Sequence, residues 1–178
     1  MWPAVNEDDK TRALIQVMLY SGLRIMDAAM LRVDSLTDNR IRLHQEKTGE
    51  HVSLLIPQKV ADDLRALPRK HPNYFFWVGR STPISAVGWW QKRLAKVFKK
   101  AELVNGHSHR FRDSFAVGLL NAGVSLENVS RLLGHASIKT TEQFYNPWVK
   151  TRQDVLDSAV ASAGLDFGQE QNKNNSCK

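Results

Sequence analysis

Cysteine is almost missing from this chain: among 178 residues there is one, Cys177, next to the last position. A lone thiol excludes an intrachain disulfide framework and a cysteine-based zinc site. Long apolar runs are missing as well, and none approaches the ~18–20 residues that a membrane-spanning helix requires. The first residues do not form a secretory leader, so a reducing, cytoplasmic compartment is the expectation. No internal repeat is visible, which excludes a solenoid. Against these absences, hydrophobic residues make up 42% of the chain, too many for a disordered or low-complexity polymer. The length suits one domain with a real core.

Acids are outnumbered, 18 Asp+Glu against 25 Lys+Arg, for a formal net charge of +7. The surplus is concentrated. Arg69 to Arg112 holds ten basic residues and one acid, Glu102, a local net of +9, while the rest of the chain nets −2. Such a basic segment in a nearly neutral body is the footprint expected for a polyanion, nucleic acid being the commonest. A solvated, lysine-rich helix face explains the charge equally well.

Periodicity and breakers divide the chain into mainly helical elements. Leu14, Ile15, Met18 and Leu19 mark a helix over Glu7 to Ser21 with Asn6 as N-cap, ended by Gly22. A short helix from Ile25 to Leu31 follows, with Arg24 in the connection. Runs Ile41 to Gln45 and Val52 to Ile56 flank a Gly-containing turn and read as a β-hairpin. Helices are expected at Gln58 to Leu67 and Ile84 to Leu103, with Tyr74 to Val78 between them as a strand or an irregular core segment. The longer helix carries Val87, Trp90, Leu94, Val97 and Phe98 inward and shows Lys92, Arg93, Lys96, Lys99 and Lys100 on its other face, the candidate DNA-binding residues. One of Trp89 and Trp90 is read as core. Further helices are expected at Phe111 to Asn121, Leu126 to Leu133 (capped by Ser125, stopped by Gly134) and Ile138 to Tyr145. A separate last helix is expected over Pro147 to Ala163, with Val149, Val155, Leu156, Val160 and Ala163 as an apolar face. The division is 1–165 for the folded domain and 166–178 for a disordered polar tail.

Single polar residues at the junctions have bland explanations: Arg24 caps carbonyls, Lys47 solubilises a hairpin tip, His135 caps a helix. Their order together carries more. Ser-Gly-Leu-Arg-Ile-Met-Asp (Ser21 to Asp27), the hairpin Lys47, His-Arg-Phe-Arg-Asp-Ser-Phe-Ala (His109 to Ala116), Leu-Leu-Gly-His (Leu132 to His135) and Thr-Thr-Glu-Gln-Phe-Tyr (Thr140 to Tyr145) follow one another. The series resembles the catalytic domain of the tyrosine recombinases, the phage-integrase family, over nearly the whole chain up to Trp148. The resemblance implies an α+β, mainly α-helical fold with a small antiparallel hairpin. It places the family's catalytic signature on Arg24, Lys47, His109, Arg112, His135 and Tyr145.

Transfer of a phosphodiester explains these residue types. Charge built on the non-bridging oxygens is met by guanidinium forks, a task that suits Arg24 and Arg112. A phenol, ordinarily ionising near pH ~10, becomes a nucleophile when a neighbour takes its proton, and its phosphotyrosyl ester keeps the bond energy for resealing. Tyr145 lies by the other motifs, whereas Tyr20 and Tyr74 read as core. The leaving 5′-oxygen needs a proton, which by resemblance comes from Lys47 on a mobile tip. His109 and His135 would bond the phosphate or manage protons. Asp27 reads as a partner that orients an imidazole or an arginine, or as an ordinary helix N-terminal acid. The mechanism implied uses no metal or other cofactor, and the blocks hold no acidic cluster for two magnesium ions. His107 beside His109 invites a zinc site, but the pair has no cysteine or carboxylate partner at ligand spacing.

The pattern is departed from at Asp113, where the family most often has histidine. The spacing of ten between His135 and Tyr145 is one longer than in many members. Asn146-Pro147-Trp148 fits one branch. An N-terminal DNA-clamping domain, usual in the family, is not expected within this chain. Double-stranded DNA is the implied partner, bound as a homotetramer, with a monomer left open for the isolated domain and no membrane. A type IB topoisomerase and a non-catalytic DNA-binding module are the competing readings.

Overall fold

The computed structural model describes residues 9–162. Asn6, Glu7, Ala163 and the tail 166–178 therefore lie outside the described residues. Thr11, Ala13, Leu14, Val17, Met18 and Ser21 are buried along one side of α1, Asp9–Ser21. Tyr20 is off that stripe and is 44% exposed, so it is a surface residue rather than the core residue expected. Gly22 ends the helix at φ +64°, and a Cβ there would lie 2.5 Å from a ring carbon of Phe115, so both conformation and space call for glycine. The reversal leads directly into α2, Ile25–Ala29.

A 3-10 turn over Val33–Ser35 leads into β1 (Leu36–Thr37), β2 (Arg40–His44) and β3 (His51–Leu55). They form an antiparallel sheet in the order β1-β2-β3, with Ile41 opposite Leu54 and Leu43 opposite Val52. The expected hairpin thus has a third strand, two residues long. Ile41, Val52 and Leu54 bury its inner face. α3, Gln58–Ala66, packs on α1 through Val60, Ala61 and Leu64. The aromatic run is an irregular core segment: Phe75 and Phe76 are buried, and the Phe75 amide donates to the Leu31 carbonyl at 3.1 Å.

α4, Pro83–Lys100, is capped by the Thr82 hydroxyl, which accepts from the Ser85 amide at 3.3 Å. Its buried residues are Val87, Trp90, Leu94, Val97 and Phe98, the face read from spacing. Each large apolar side chain so buried contributes about 1.5–3 kcal/mol. Trp90 is core, while Trp89 is 55% exposed. α5, His109–Asn121, begins two residues before the expected Phe111 and so takes His109 into its first turn. α6, Leu126–Leu133, is capped by Ser125 and ends at Gly134 with φ +61°.

The largest departure is α7, which runs from Ile138 to Ser162 as one helix of 25 residues where two were expected. A proline inside a helix removes one backbone bond and bends the rod, but packing of the flanking turns can carry the helix through. Two apolar clusters result. The larger joins α1 to α4 with the sheet and Phe111, and a smaller one gathers Ala116, Leu120, Val129, Leu133 and Tyr145 between α5, α6 and α7. Among the described residues, no helix is long and apolar enough to cross a membrane.

Candidate active site

Five chain segments meet where the two clusters join. Arg112, in the first turns of α5, is 1% exposed. Its Nη1 donates to the Gly22 carbonyl at 2.7 Å and its Nη2 to the Leu133 carbonyl at 2.6 Å. Its Nε has no acceptor among the described residues. Burial, and next the charge of Arg24, push this guanidinium down to about 10, with Tyr145, Asp27 and Asp113 opposing. It is still a cation at neutral pH.

Arg24, half-buried between α1 and α2, donates to the Gln45 Oε1. Gln45 is 1% exposed, and its Nε2 donates to the same Leu133 carbonyl at 2.8 Å. One carbonyl at the end of α6 thus ties both arginines together through a glutamine. Gly134 makes this possible, since a Cβ there would lie 2.8 Å from the Gln45 amide.

Asp27 is buried, and its Oδ1 accepts from the Glu46 amide at 2.9 Å. Its hydrogen bond thus goes to the hairpin rather than to an imidazole or a guanidinium. Burial raises its carboxyl above the ordinary range, opposed by the Glu46 amide, Arg24 and Arg112. Thr48 Oγ1 donates to the Gly134 carbonyl at 3.2 Å. The tip is thus hydrogen-bonded on both sides of Lys47, which is itself exposed.

His135 follows Gly134, with Nδ1 2.6 Å from the Thr141 hydroxyl. Burial, then Arg112, Arg24 and His109, push it down to about 4, so it is neutral at pH 7. His109 is lowered by burial first, Asp113 opposing, and by Arg112, His107 and Arg24. Tyr145 is 4% exposed, and its hydroxyl donates to Asp113 Oδ1 at 3.0 Å. Burial and then the Asp113 charge hold its phenol above the ordinary tyrosine value, with Arg112 opposing.

The structure brings together Arg24, Asp27, His109, Arg112, His135 and Tyr145, and sets Lys47 beside them on the tip. The basic residues of α4 are separate: Lys92, Lys96, Lys99 and Lys100 are exposed, while Arg93 turns to α1, donating to Thr11 Oγ1 at 2.6 Å and stacking over Trp89. Gln45 and Thr141 were not singled out from sequence. Both had a signal. Gln45 continues the inward parity of Ile41 and Leu43, and Thr141 lies one turn before Tyr145, so each is a polar residue on a buried face. Among the described residues, no group of three His, Cys, Asp or Glu is gathered as for a metal ion.

The profile described as phage integrase family matches residues 4–151. The chain belongs to the phage integrase family. Within it, the chain is 26% identical over 171 residues to tyrosine recombinase XerA of Pyrococcus furiosus, covering 90% of this chain and 59% of that protein. It is 30% identical over 165 residues to XerD of Mycobacterium leprae, covering 84% and 52%. The chain thus spans little more than half the length of these curated relatives. The fold is that of the family's solved members: XerH site-specific recombinase, in a post-cleavage complex with a palindromic difH substrate, superposes with a TM-score of 0.64 at 20% identity, over 79% of this chain and 44% of that one.

Proposed function

We propose that this domain breaks and rejoins double-stranded DNA at specific sites through a 3′-phosphotyrosyl intermediate. The observation that carries the reading is a tyrosine hydroxyl gathered with two linked guanidiniums and two imidazoles, in a chain of this family. The scissile phosphate would sit against Arg24 and the open Nε of Arg112, a buried donor that a phosphate oxygen satisfies. Tyr145 would attack phosphorus, and the bond to the 5′-oxygen would break as Lys47 delivers a proton to it. His109 and the neutral His135 would bond the remaining oxygens. Reversal by a new 5′-hydroxyl exchanges strands without external energy. Because Tyr145 is almost fully covered, attack requires α7 to shift enough to uncover the phenol.

The homotetramer expected on DNA is supported by α7, whose outer half shows Val155, Leu156 and Val160 to solvent at 44–64% exposure. Such a stripe is suited to burial against a second copy. XerH, a structural neighbour, is solved on its DNA substrate.

The test uses a pool of duplexes that carry the recombination sites of related recombinases, the palindromic difH substrate among them, labelled on the 5′ end of the strand to be cut and nicked just beyond the cut. The short 5′-hydroxyl fragment then diffuses away and traps the adduct. Wild-type protein is expected to give a label that migrates with protein on a denaturing gel, and Tyr145→Phe none. Absence of adduct with the wild type would reject the reading.

A further inference from the structure

The family's usual histidine after the second arginine is an aspartate in this chain, and the structure shows what it touches. We propose that Asp113 is the acceptor for the Tyr145 proton during attack on phosphorus, an assignment that rests on the recombinase reading. The Tyr145 hydroxyl donates to Asp113 Oδ1 at 3.0 Å, within the reach required of a general base. The other candidate bases are turned elsewhere. His135 gives its Nδ1 to Thr141, and its electrostatic neighbours are Arg112, Arg24 and His109. His109 lies one turn before Asp113 on α5, and Asp113 rather than Tyr145 is among the charges that act on it. Among the described residues, the Tyr145 hydroxyl forms its hydrogen bond with Asp113 alone.

The step balances without a co-reactant. As the Tyr145 oxygen bonds to phosphorus, its O–H bond breaks and the proton passes to Asp113 Oδ1. The bond from phosphorus to the 5′-oxygen breaks, and that oxygen takes its proton from Lys47. On resealing, Asp113 returns its proton to the departing phenolate. The resting phenol is a poor acid, because burial and the carboxylate both disfavour its anion. Transfer therefore accompanies bond formation, when the oxygen becomes strongly acidic, rather than preceding it. Asp113 is only half-buried, so the proton held on it is close to solvent.

The experiment measures single-turnover adduct formation by the full chain on the nicked pool, with tyrosine or 2,3,5-trifluorotyrosine installed at position 145. With tyrosine, Asp113→Asn is expected to slow the adduct by about 10²-fold or more while DNA retention in a gel shift is unchanged, and Asp113→Glu to recover part of the rate. With trifluorotyrosine, whose proton is easier to remove, the deficit of Asp113→Asn should shrink by about tenfold. A merely structural carboxylate predicts the same deficit with either nucleophile. That result overturns the proposal, as does an Asp113→Asn variant as fast as wild type or faster, which would mean that the hydrogen bond only restrains Tyr145. Wild-type protein that forms no adduct rejects the recombinase reading itself, whereas a wild-type adduct indifferent to Asp113 rejects only the proton assignment.

Discussion

His135 illustrates how burial acts on a charge in this site. Its imidazole is pushed from 6.5 down to about 4, so the folded protein resists binding a proton that the unfolded chain takes up readily. A folded pKa below the unfolded one means stability that is fully present above about 6.5 and declines as the pH falls from there to about 4. His109 is lowered as well and acts in the same direction. Urea midpoints measured between pH 7.5 and 4.5 should therefore fall, and His135→Gln should fall less steeply over that window. An unchanged slope in the variant would place the titration on other groups. In the proposed reaction, the same weak basicity keeps this imidazole from competing for the Tyr145 proton.

Two glycines, one at a helix end and one inside a helix, should respond in opposite ways to a methyl group. Gly134 closes α6 at φ +61° with Gln45 and Val52 each 2.8 Å from a Cβ, so Gly134→Ala combines about 1–2 kcal/mol of backbone strain with displacement of Gln45 from Arg24. Gly118, inside α5, has nothing within 4 Å of its Cβ, and Gly118→Ala should stabilise by about 0.5–1 kcal/mol. Thermal melts check both, and only the first should also lose DNA cleavage. Elements with a clear period were legible in the sequence: the buried face of α4 was read residue by residue. β1 was not, because two residues cannot show alternation. The continuity of α7 was not legible either, because Pro147 punctuates a sequence locally whereas the packing of the turns around Thr141 and Tyr145 on α5 and α6 is tertiary. The six signature positions could be singled out because they fall in five blocks of recognisable order, His109 and Arg112 sharing one. Gln45 stands in none, and Thr141, though inside the last block, has no role of its own there; their importance emerges only when the hairpin meets the end of α6 and α7 meets His135.

At the scale of the molecule, positive charge among the described residues sits in two settings. Arg112 is walled off from solvent in the site, while Lys92, Lys96 and Lys99 stand exposed on α4. In gel shifts with duplex DNA, log affinity should fall steeply with log salt, and joint reversal of Lys92, Lys96 and Lys99 to glutamate should flatten the slope by about one for each phosphate no longer neutralised. A slope left unchanged would make that face merely solvated. Arg93 fits neither setting, because it bonds to Thr11 on α1 and lies over Trp89 on its own helix.

The Leu133 carbonyl accepts from Gln45, 88 residues away, and from Arg112, 21 residues away. Contacts so distant in sequence form late, after local helices have already appeared. A nascent or partly melted chain can hold Tyr145 on a helix and yet lack the paired guanidiniums that would make the phenol dangerous to DNA. In the proposed reaction, cutting power is thereby reserved for the finished molecule.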